Sequence, residues 1–214
     1  ECPGEAFTVM ANAGYFWLDE RKATSDDATL ISGQVALQMK AGGAKILVGG
    51  SYYGFQNLED YGLLVDEEDS FGNSVTPVVD PATMEVSGLL YANEYKEAEG
   101  FLAVSGKLMD CPVKVYGNYV VNSDADEDDT GYLLGVGIGK AGDPGTFGFD
   151  YNYRELEADA VVAAYSDSDS FGGGTDGKGH KLSAGYAIAK NWSLGAAYFM
   201  NDIGLDGSSK DYDR

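Results

Sequence analysis

Acidic side chains at alternate positions mark two stretches of the sequence as candidate cation sites. These are SDADEDDTG at 123–131 and SDSDS at 166–170. Carboxylate oxygens at such spacing suit hard cations such as Ca²⁺ and Mg²⁺. The candidate ligands are Asp124, Asp126, Asp128, Asp167 and Asp169. The first stretch copies the first half of a calcium loop, but Asp129 and Gly135 stand where that loop needs Gly and Glu. The sequence therefore rejects an EF-hand and leaves two alternatives, a loose Ca²⁺ or Mg²⁺ site or a solvated acidic loop.

A second set of polar side chains recurs at every second position of several segments. The segment 146–154 (TFGFDYNYR) places aromatic rings on one side and polar groups on the other. We predict that such polar groups line a water-filled interior, where opposed charges orient permeating solutes. The alternative is that the charged members only keep the rims soluble. The candidates for the lining are Lys40, Lys45, Lys107, Lys114, Asn118, Asp150, Asn152, Arg154 and Lys181.

Nine segments carry this alternation and are predicted to be strands. Most are about ten residues long, which matches the roughly 9 to 11 residues of a tilted strand that crosses a bilayer. Thirty glycines and only five prolines also favour strands and tight turns over helices. The predicted strands are 7–17, 29–40, 45–55, 100–109, 112–122, 131–140, 145–154, 180–189 and 191–201. The sequence therefore predicts an all-β fold.

The connections between these segments are alternately short and long. The short ones are 41–44, 110–112, 141–145 and 189–191, and the long ones are 18–28, 56–99, 122–131, 155–179 and the residues from 202 onward. Strict alternation places the short turns on one rim and the long loops on the other, as in outer-membrane barrels. We predict one antiparallel transmembrane β-barrel domain over 1–214, with a long extracellular loop insertion at 56–99. This insertion either narrows the interior or forms a solvated surface loop.

Composition excludes several functional classes. The chain has 35 acidic and 14 basic residues and a formal net charge of -21, so nucleic acid is not an expected partner. With only His180 and two cysteines, no zinc-type spacing is present. No catalytic constellation is visible, so we expect neither an enzyme nor a bound cofactor. Cys2 and Cys111 both fall near the short-turn rim, and the sequence leaves open a disulfide between them.

The last third of the sequence carries its most specific motifs. They are the GDPG turn, the YNYRELEADAV strand end, the SDSD-F-GGGTDGKGH loop and the AKN turn, in that order within 141–201. In these motifs the chain resembles the bacterial putative porin family of outer-membrane β-barrels. The likeness extends more weakly to 109–122 and the N-terminal hairpins.

The resemblance implies a passive diffusion porin of the bacterial outer membrane, with a water-filled pore for small hydrophilic solutes and ions. We expect a weakly cation-favouring pore whose partners are membrane lipid, lipopolysaccharide, small solutes and, as an open alternative, further copies of the chain. The alternative function is a plugged structural or adhesive outer-membrane barrel with acidic Ca²⁺-binding loops.

The predicted strand number does not suit a closed barrel. Single-chain bacterial barrels have an even number of strands, and open edges in hydrocarbon leave backbone groups unpaired. We therefore expect the sequence to be a fragment that lacks a final strand, from a barrel of roughly 12 to 16 strands within the known range.

Overall fold

A computed structural model describes residues 7–22, 26–205 and, for the backbone alone, 210–213. Within these residues the fold is all-β, and the only helical element is one 3₁₀ turn at Ala163–Tyr165. No helix in this part of the chain has the length and hydropathy that a membrane-crossing helix requires. The strands are β1 (Phe7–Asp19), β2 (Ala28–Ala41), β3 (Ala44–Gln56), β4 (Val75–Val79), β5 (Val86–Tyr91), β6 (Lys96–Leu108), β7 (Cys111–Asn122), β8 (Thr130–Gly139), β9 (Phe147–Leu156), β10 (Gly177–Ala189), β11 (Trp192–Ile203) and β12 (Lys210–Asp213).

Ten strands form one antiparallel sheet in the order β1-β2-β3-β6-β7-β8-β9-β10-β11-β12, and β4 and β5 form a separate hairpin. Each strand of the large sheet pairs with its neighbours in the chain, apart from the step from β3 to β6 across that hairpin. β1 and β12 lie at opposite edges, and no pairing within the described residues closes the sheet into a barrel. The predicted barrel is thus observed as an open antiparallel sheet.

The strand count of nine was too low, because β12 adds a tenth strand to the large sheet. β12 has only four residues, too few for a period of two to be recognised. The fourth predicted strand, 100–109, begins four residues too late, since β6 starts at Lys96. Connections 123–129 and 140–146 are of equal length, so the alternation of long and short connections is not strict at the centre of the sheet.

The register gives the large sheet two chemically different faces, because residues directly opposite each other in paired strands point to the same side. The face that carries Val35, Leu102 and Leu134 is called the apolar face, and its aliphatic and aromatic side chains are widely exposed. Val35 is 59% and Leu134 is 61% exposed. The opposite face, which carries Ser51, Glu99 and Asn152, is called the polar face.

The compact core lies on the polar face, at the end of the sheet where the long connections emerge. Phe55 from β3 packs there with Leu58, Tyr91, Tyr95 and Val162. A second cluster contains Leu156, Ala160 and Phe171. The large sheet is called the wall. Together the clusters join it to residues 57–95, the β3–β6 connection, and to residues 157–176, the β9–β10 connection. Residues 157–176 are called the inserted segment below.

The aromatic residues at the ends of the strands do not all lie on the same face of the sheet. Tyr15 and Trp17 are exposed on the apolar face. Phe55 and Phe199 instead lie on the polar face and are buried, at 4% and 6% exposure. Alternation along a strand separates neighbouring aromatics to opposite sides, so only some of the strand-end aromatic side chains lie on the apolar face.

Candidate functional site

All nine side chains predicted to line a polar interior lie on the polar face. One row of paired positions runs Lys45, Ser105, Lys114, Gly137, Asp150 and Ser183 across β3 to β10. Lys40 lies opposite Lys45 on β2, and Lys107 lies on β6 two residues beyond Ser105. Asn118, Asn152, Arg154 and Lys181 occupy further rows of the same face. The register thus brings the set together on one surface, and their role as a pore lining stays a prediction.

The centre of the polar face holds a hydrogen-bonded group that spans three strands. The hydroxyl of Tyr116 on β7 donates to Oδ1 of Asp150 on β9, at 2.7 Å. Nδ2 of Asn152 donates to the same hydroxyl at 3.4 Å. Nζ of Lys114 lies 4.3 Å from the centroid of the Tyr116 ring. The ring reaches β9 by crossing Gly135 on β8, where an added Cβ would collide with the ring carbons. Gly135 is therefore required for the contact between Tyr116 and Asp150.

We expect Gly135→Val to lower the free energy of unfolding by about 1–3 kcal/mol, because it displaces the Tyr116 ring and leaves the Asp150 carboxylate without the hydrogen bond from the Tyr116 hydroxyl. Urea unfolding of the folded protein in detergent or lipid measures this change. Gly195→Val is the matched control, since Gly195 lies on the same polar face and the nearest atom to its Cβ position, the Ala184 carbonyl oxygen, is 3.8 Å away. Equal losses in both variants would show that the β-sheet simply rejects valine, with no special role for the Tyr116 contact.

Carboxylates gather on the polar face near the long connections. Ser51 links two strands, because its hydroxyl accepts from Nε2 of Gln34 at 3.0 Å and donates to Oε2 of Glu99 at 3.0 Å. Nδ2 of Asn118 donates to Oε1 of Glu99 at 2.7 Å. Glu97, only 7% exposed, accepts a hydrogen bond of 2.8 Å from the backbone N–H of Val162 in the inserted segment. The wall therefore binds the inserted segment through a carboxylate.

A cavity of about 450 Å³ remains between this part of the wall and the inserted segment. Its lining includes Glu97, Glu99, Arg154 and Asp167. Arg154 from the wall pairs with Asp167 from the inserted segment, with 3.6 Å between Nη1 and Oδ2. The positive charge of Arg154 is thus partly compensated by Asp167. Carboxylate side chains outnumber cationic side chains in the lining of the cavity.

Asn73 anchors the inserted segment from the β3–β6 connection. Its Nδ2 donates to the carbonyls of Ala158 and Val161, at 2.7 and 2.9 Å. Its Oδ1 accepts from the backbone N–H of Ala163 at 2.8 Å. Asn73 is 3% exposed, so these contacts replace water almost completely. One side chain thus satisfies three backbone groups of the inserted segment.

Asp159 supplies a second anchor: it lies in the inserted segment, and its side chain binds groups of the β3–β6 connection. Its carboxylate accepts from the Tyr95 hydroxyl at 2.7 Å, from the Ser74 backbone N–H at 3.0 Å and from Nδ2 of Asn93 at 2.9 Å. Asp159 is 2% exposed, and three donors compensate its buried charge. Burial, together with the nearby carboxylate, raises the pKa of Tyr95 well above its ordinary value. The tyrosine thus stays protonated and remains a donor at neutral pH.

Comparison with known proteins adds a family to this geometry. Residues 91–208, more than half of the chain, match the family described as Putative porin. The chain belongs to the putative porin family. No curated protein matches the chain. The range matched to the porin family ends within the β11–β12 connection and includes the Tyr116 group and the inserted segment. Membership supports a porin-like role in general and suggests a membrane-embedded protein.

In this porin-family chain, the two acidic stretches lie on separate connections. Asp124 pairs with Lys96, with 2.8 Å between Oδ2 and Nζ, and Asp167 pairs with Arg154. Across residues 7–22 and 26–205, no three His, Cys, Asp or Glu side chains are placed to hold a metal ion. Divalent cation binding by Asp126, Asp128 or Asp169 therefore stays a prediction.

The predicted disulfide also stays a prediction, because Cys2 lies outside the described residues. Cys111 is the first residue of β7 and is partly exposed. Its thiol lies 3.7 Å from the carbonyl of Pro112.

Sequence reasoning missed five residues that organise the site of this porin-family chain. Glu97 and Glu99 could have been recognised from the sequence, since in KEAEGF they continue the alternation of β6 back toward its first residue. Tyr116 was assigned to the correct side of its strand, but nothing local indicated that its ring crosses to β9. Asn73 and Asp159 carried no signal, because the partners of their side chains lie 64 to 102 residues away in sequence.

Proposed function

We propose that this chain forms the wall of a water-filled β-barrel pore in a bacterial outer membrane, through which small hydrophilic solutes and ions diffuse passively. The observation that carries the proposal is the division of one continuous sheet into an exposed apolar face and a polar face. Family membership supports the same role.

Lipid is the solvent that suits the apolar face. Soluble monomers rarely expose contiguous apolar patches of more than a few hundred Å². Here exposed apolar side chains recur on every well-formed strand of the large sheet, from Phe7 and Val9 on β1 to Leu194 on β11. Hydrocarbon also requires that the edges at β1 and β12 find hydrogen-bonding partners, because unpaired backbone groups there are costly. We propose that the edges are paired in a closed barrel of roughly 12 to 16 strands.

The inserted segment supports a specific form of the pore. It lies across the polar face and is held by Glu97 of the sheet and by Asn73 of the β3–β6 connection, and its own Asp159 accepts a hydrogen bond from that connection. In a closed barrel this position narrows the lumen, a role that the sequence offered as one of two alternatives for 56–99. Glu97 and Glu99 lie on the wall beside the narrowed part, which supports a weak preference for cations. We propose no catalytic activity and no bound cofactor for this pore.

Single-channel recording of the full-length protein in a planar bilayer tests the proposal. Reconstituted protein should give stable open steps, and a salt gradient should give a reversal potential on the cation-selective side. Glu99→Gln should move that potential toward zero, whereas Glu85→Gln, in the exposed turn of the β4–β5 hairpin, should leave it unchanged. A correctly folded, heat-modifiable barrel that never conducts would contradict the diffusion pore.

The second candidate is a plugged structural or adhesive barrel. The dense anchoring of the inserted segment favours it, since buried Glu97 binds the segment to the sheet and buried Asn73 and Asp159 bind it to the β3–β6 connection. This candidate predicts a folded barrel that is silent in bilayers and binds surfaces in a Ca²⁺-dependent manner. Silence in the same recordings, with adhesion lost on chelation of Ca²⁺, would favour it over the pore.

A further inference from the structure

Four lysines gather on the polar face at the short-turn end of four neighbouring strands. Lys40 on β2 lies directly opposite Lys45 on β3. Lys45 shares its row with Ser105 on β6 and Lys114 on β7. Lys107 on β6 lies one row further toward the turn. These four lysines are called the basic patch, and they are more than a quarter of the 14 basic residues in a chain of net charge -21.

Carboxylates of the described residues form no ion pair with the basic patch. Within the described residues, the ion pairs formed by lysine or arginine involve Arg21, Lys96 and Arg154 alone. Asp150 is the one aspartate in the same row as Lys45 and Lys114; it forms no ion pair with either lysine, and its Oδ1 accepts a hydrogen bond from the Tyr116 hydroxyl. Like charges directly opposite in paired strands destabilise a sheet, so the pair of Lys40 and Lys45 carries an uncompensated cost.

Space for a solute adjoins the patch. An open depression of about 780 Å³ in the surface of the sheet is lined by Lys45, Lys107 and Lys114, together with Ser105, Ser183 and one carboxylate residue, Asp150. Gly137, Gly139, Gly148 and Gly185 also line this surface, and because they have no side chains they leave room for a solute. Backbones of adjacent strands lie about 4.8 Å apart, so Lys45 and Lys114 are anchored roughly 10 Å from each other. Their long side chains can converge on one solute from two sides.

We propose that the basic patch is a binding site for small polyanions, which carry several carboxylate or phosphate groups. Each exposed lysine ammonium contributes little to the binding free energy by itself, so a solute with a single negative charge is not retained. A polyanion engages several lysines and also relieves the repulsion between Lys40 and Lys45. This inference rests on the proposed pore and adds to it a site of opposite charge to the carboxylates at the other end of the polar face. The pore thus has a cation-favouring end and an anion-binding end.

Blockade of single channels tests the site. Tripolyphosphate or citrate, added at low salt to each side in turn, should interrupt the current at a lower concentration from one side. The two probes distinguish phosphate from carboxylate recognition. Lys45→Gln combined with Lys114→Gln should weaken the block by about tenfold, as expected for two lost charge contacts. Lys190→Gln is the control, because Lys190 lies in the β10–β11 turn on the same rim. It should change the block by less than about twofold.

The possible failures are distinguishable. Channels that conduct normally but are not blocked, or are blocked equally in the double variant, overturn the polyanion site and leave the pore intact. Protein that never conducts overturns the pore. Isothermal titration calorimetry with tripolyphosphate on the folded protein in detergent then decides the site by itself. Heat of binding that is lost in the double variant and kept in Lys190→Gln supports it, and no heat in any variant overturns it.

Discussion

Val115→Arg is expected to lower the free energy of unfolding in a lipid bilayer by about 2–4 kcal/mol, whereas Asn118→Arg on the same strand is expected to cost less than about 1 kcal/mol. Val115 lies on the apolar face, is 57% exposed, and has Val104 and Val136 directly opposite on its two neighbours. A guanidinium there would enter hydrocarbon. Asn118 lies on the polar face beside Glu99, which a new arginine can pair with.

Urea unfolding of the full-length protein in lipid vesicles measures both values. Both positions lie near the middle of β7, so depth in the membrane is matched and only the direction of the side chain differs. Equal stabilities for the two variants would contradict the membrane placement of the sheet. A larger loss at Asn118 would reverse the assignment of the faces.

Asn73→Ala is expected to loosen the inserted segment by releasing it from the β3–β6 connection. The substitution leaves two carbonyls and one N–H without their partner in a site that is 3% exposed. Each orphaned buried group costs about 1–3 kcal/mol, so the free energy of opening the segment should fall by about 3 kcal/mol. Cleavage within 157–176 by an added protease should accelerate on the order of 100-fold, since each 1.4 kcal/mol corresponds to a factor of ten.

The same variant also tests the narrowing of the lumen. If the inserted segment restricts the pore, Asn73→Ala should raise single-channel conductance. Asn93→Ala is the control, because Asn93 is partly exposed and is bound to the inserted segment by one hydrogen bond of 2.9 Å to Asp159. Its effects should be much smaller. Faster cleavage without a change in conductance would show that the segment is anchored as described but does not limit the current.

The strands themselves follow from local patterns. Each of the nine predicted strands overlaps an observed strand, because a period of two is readable within ten residues. The faces also follow, since alternation assigns Lys114 and Asn118 to one side and Val115 to the other before any pairing is known. The family resemblance seen in 141–201 agrees with the match found over 91–208.

Tertiary structure decided everything that depends on contacts between distant residues. Asn73 meets Ala158 across 85 positions, and Glu97 meets Val162 across 65. No local pattern encodes which connection folds over the polar face: the sequence left 56–99 as either a constriction or a solvated surface loop, and it gave no indication that residues 157–176 lie there. Lys40, Lys45, Lys107 and Lys114 show the same division. Alternation predicts that each lysine lies on the polar side of its strand. Only strand order and register bring the four into one patch. The physical reason is that neighbours across a sheet are set by strand pairing and not by distance along the chain.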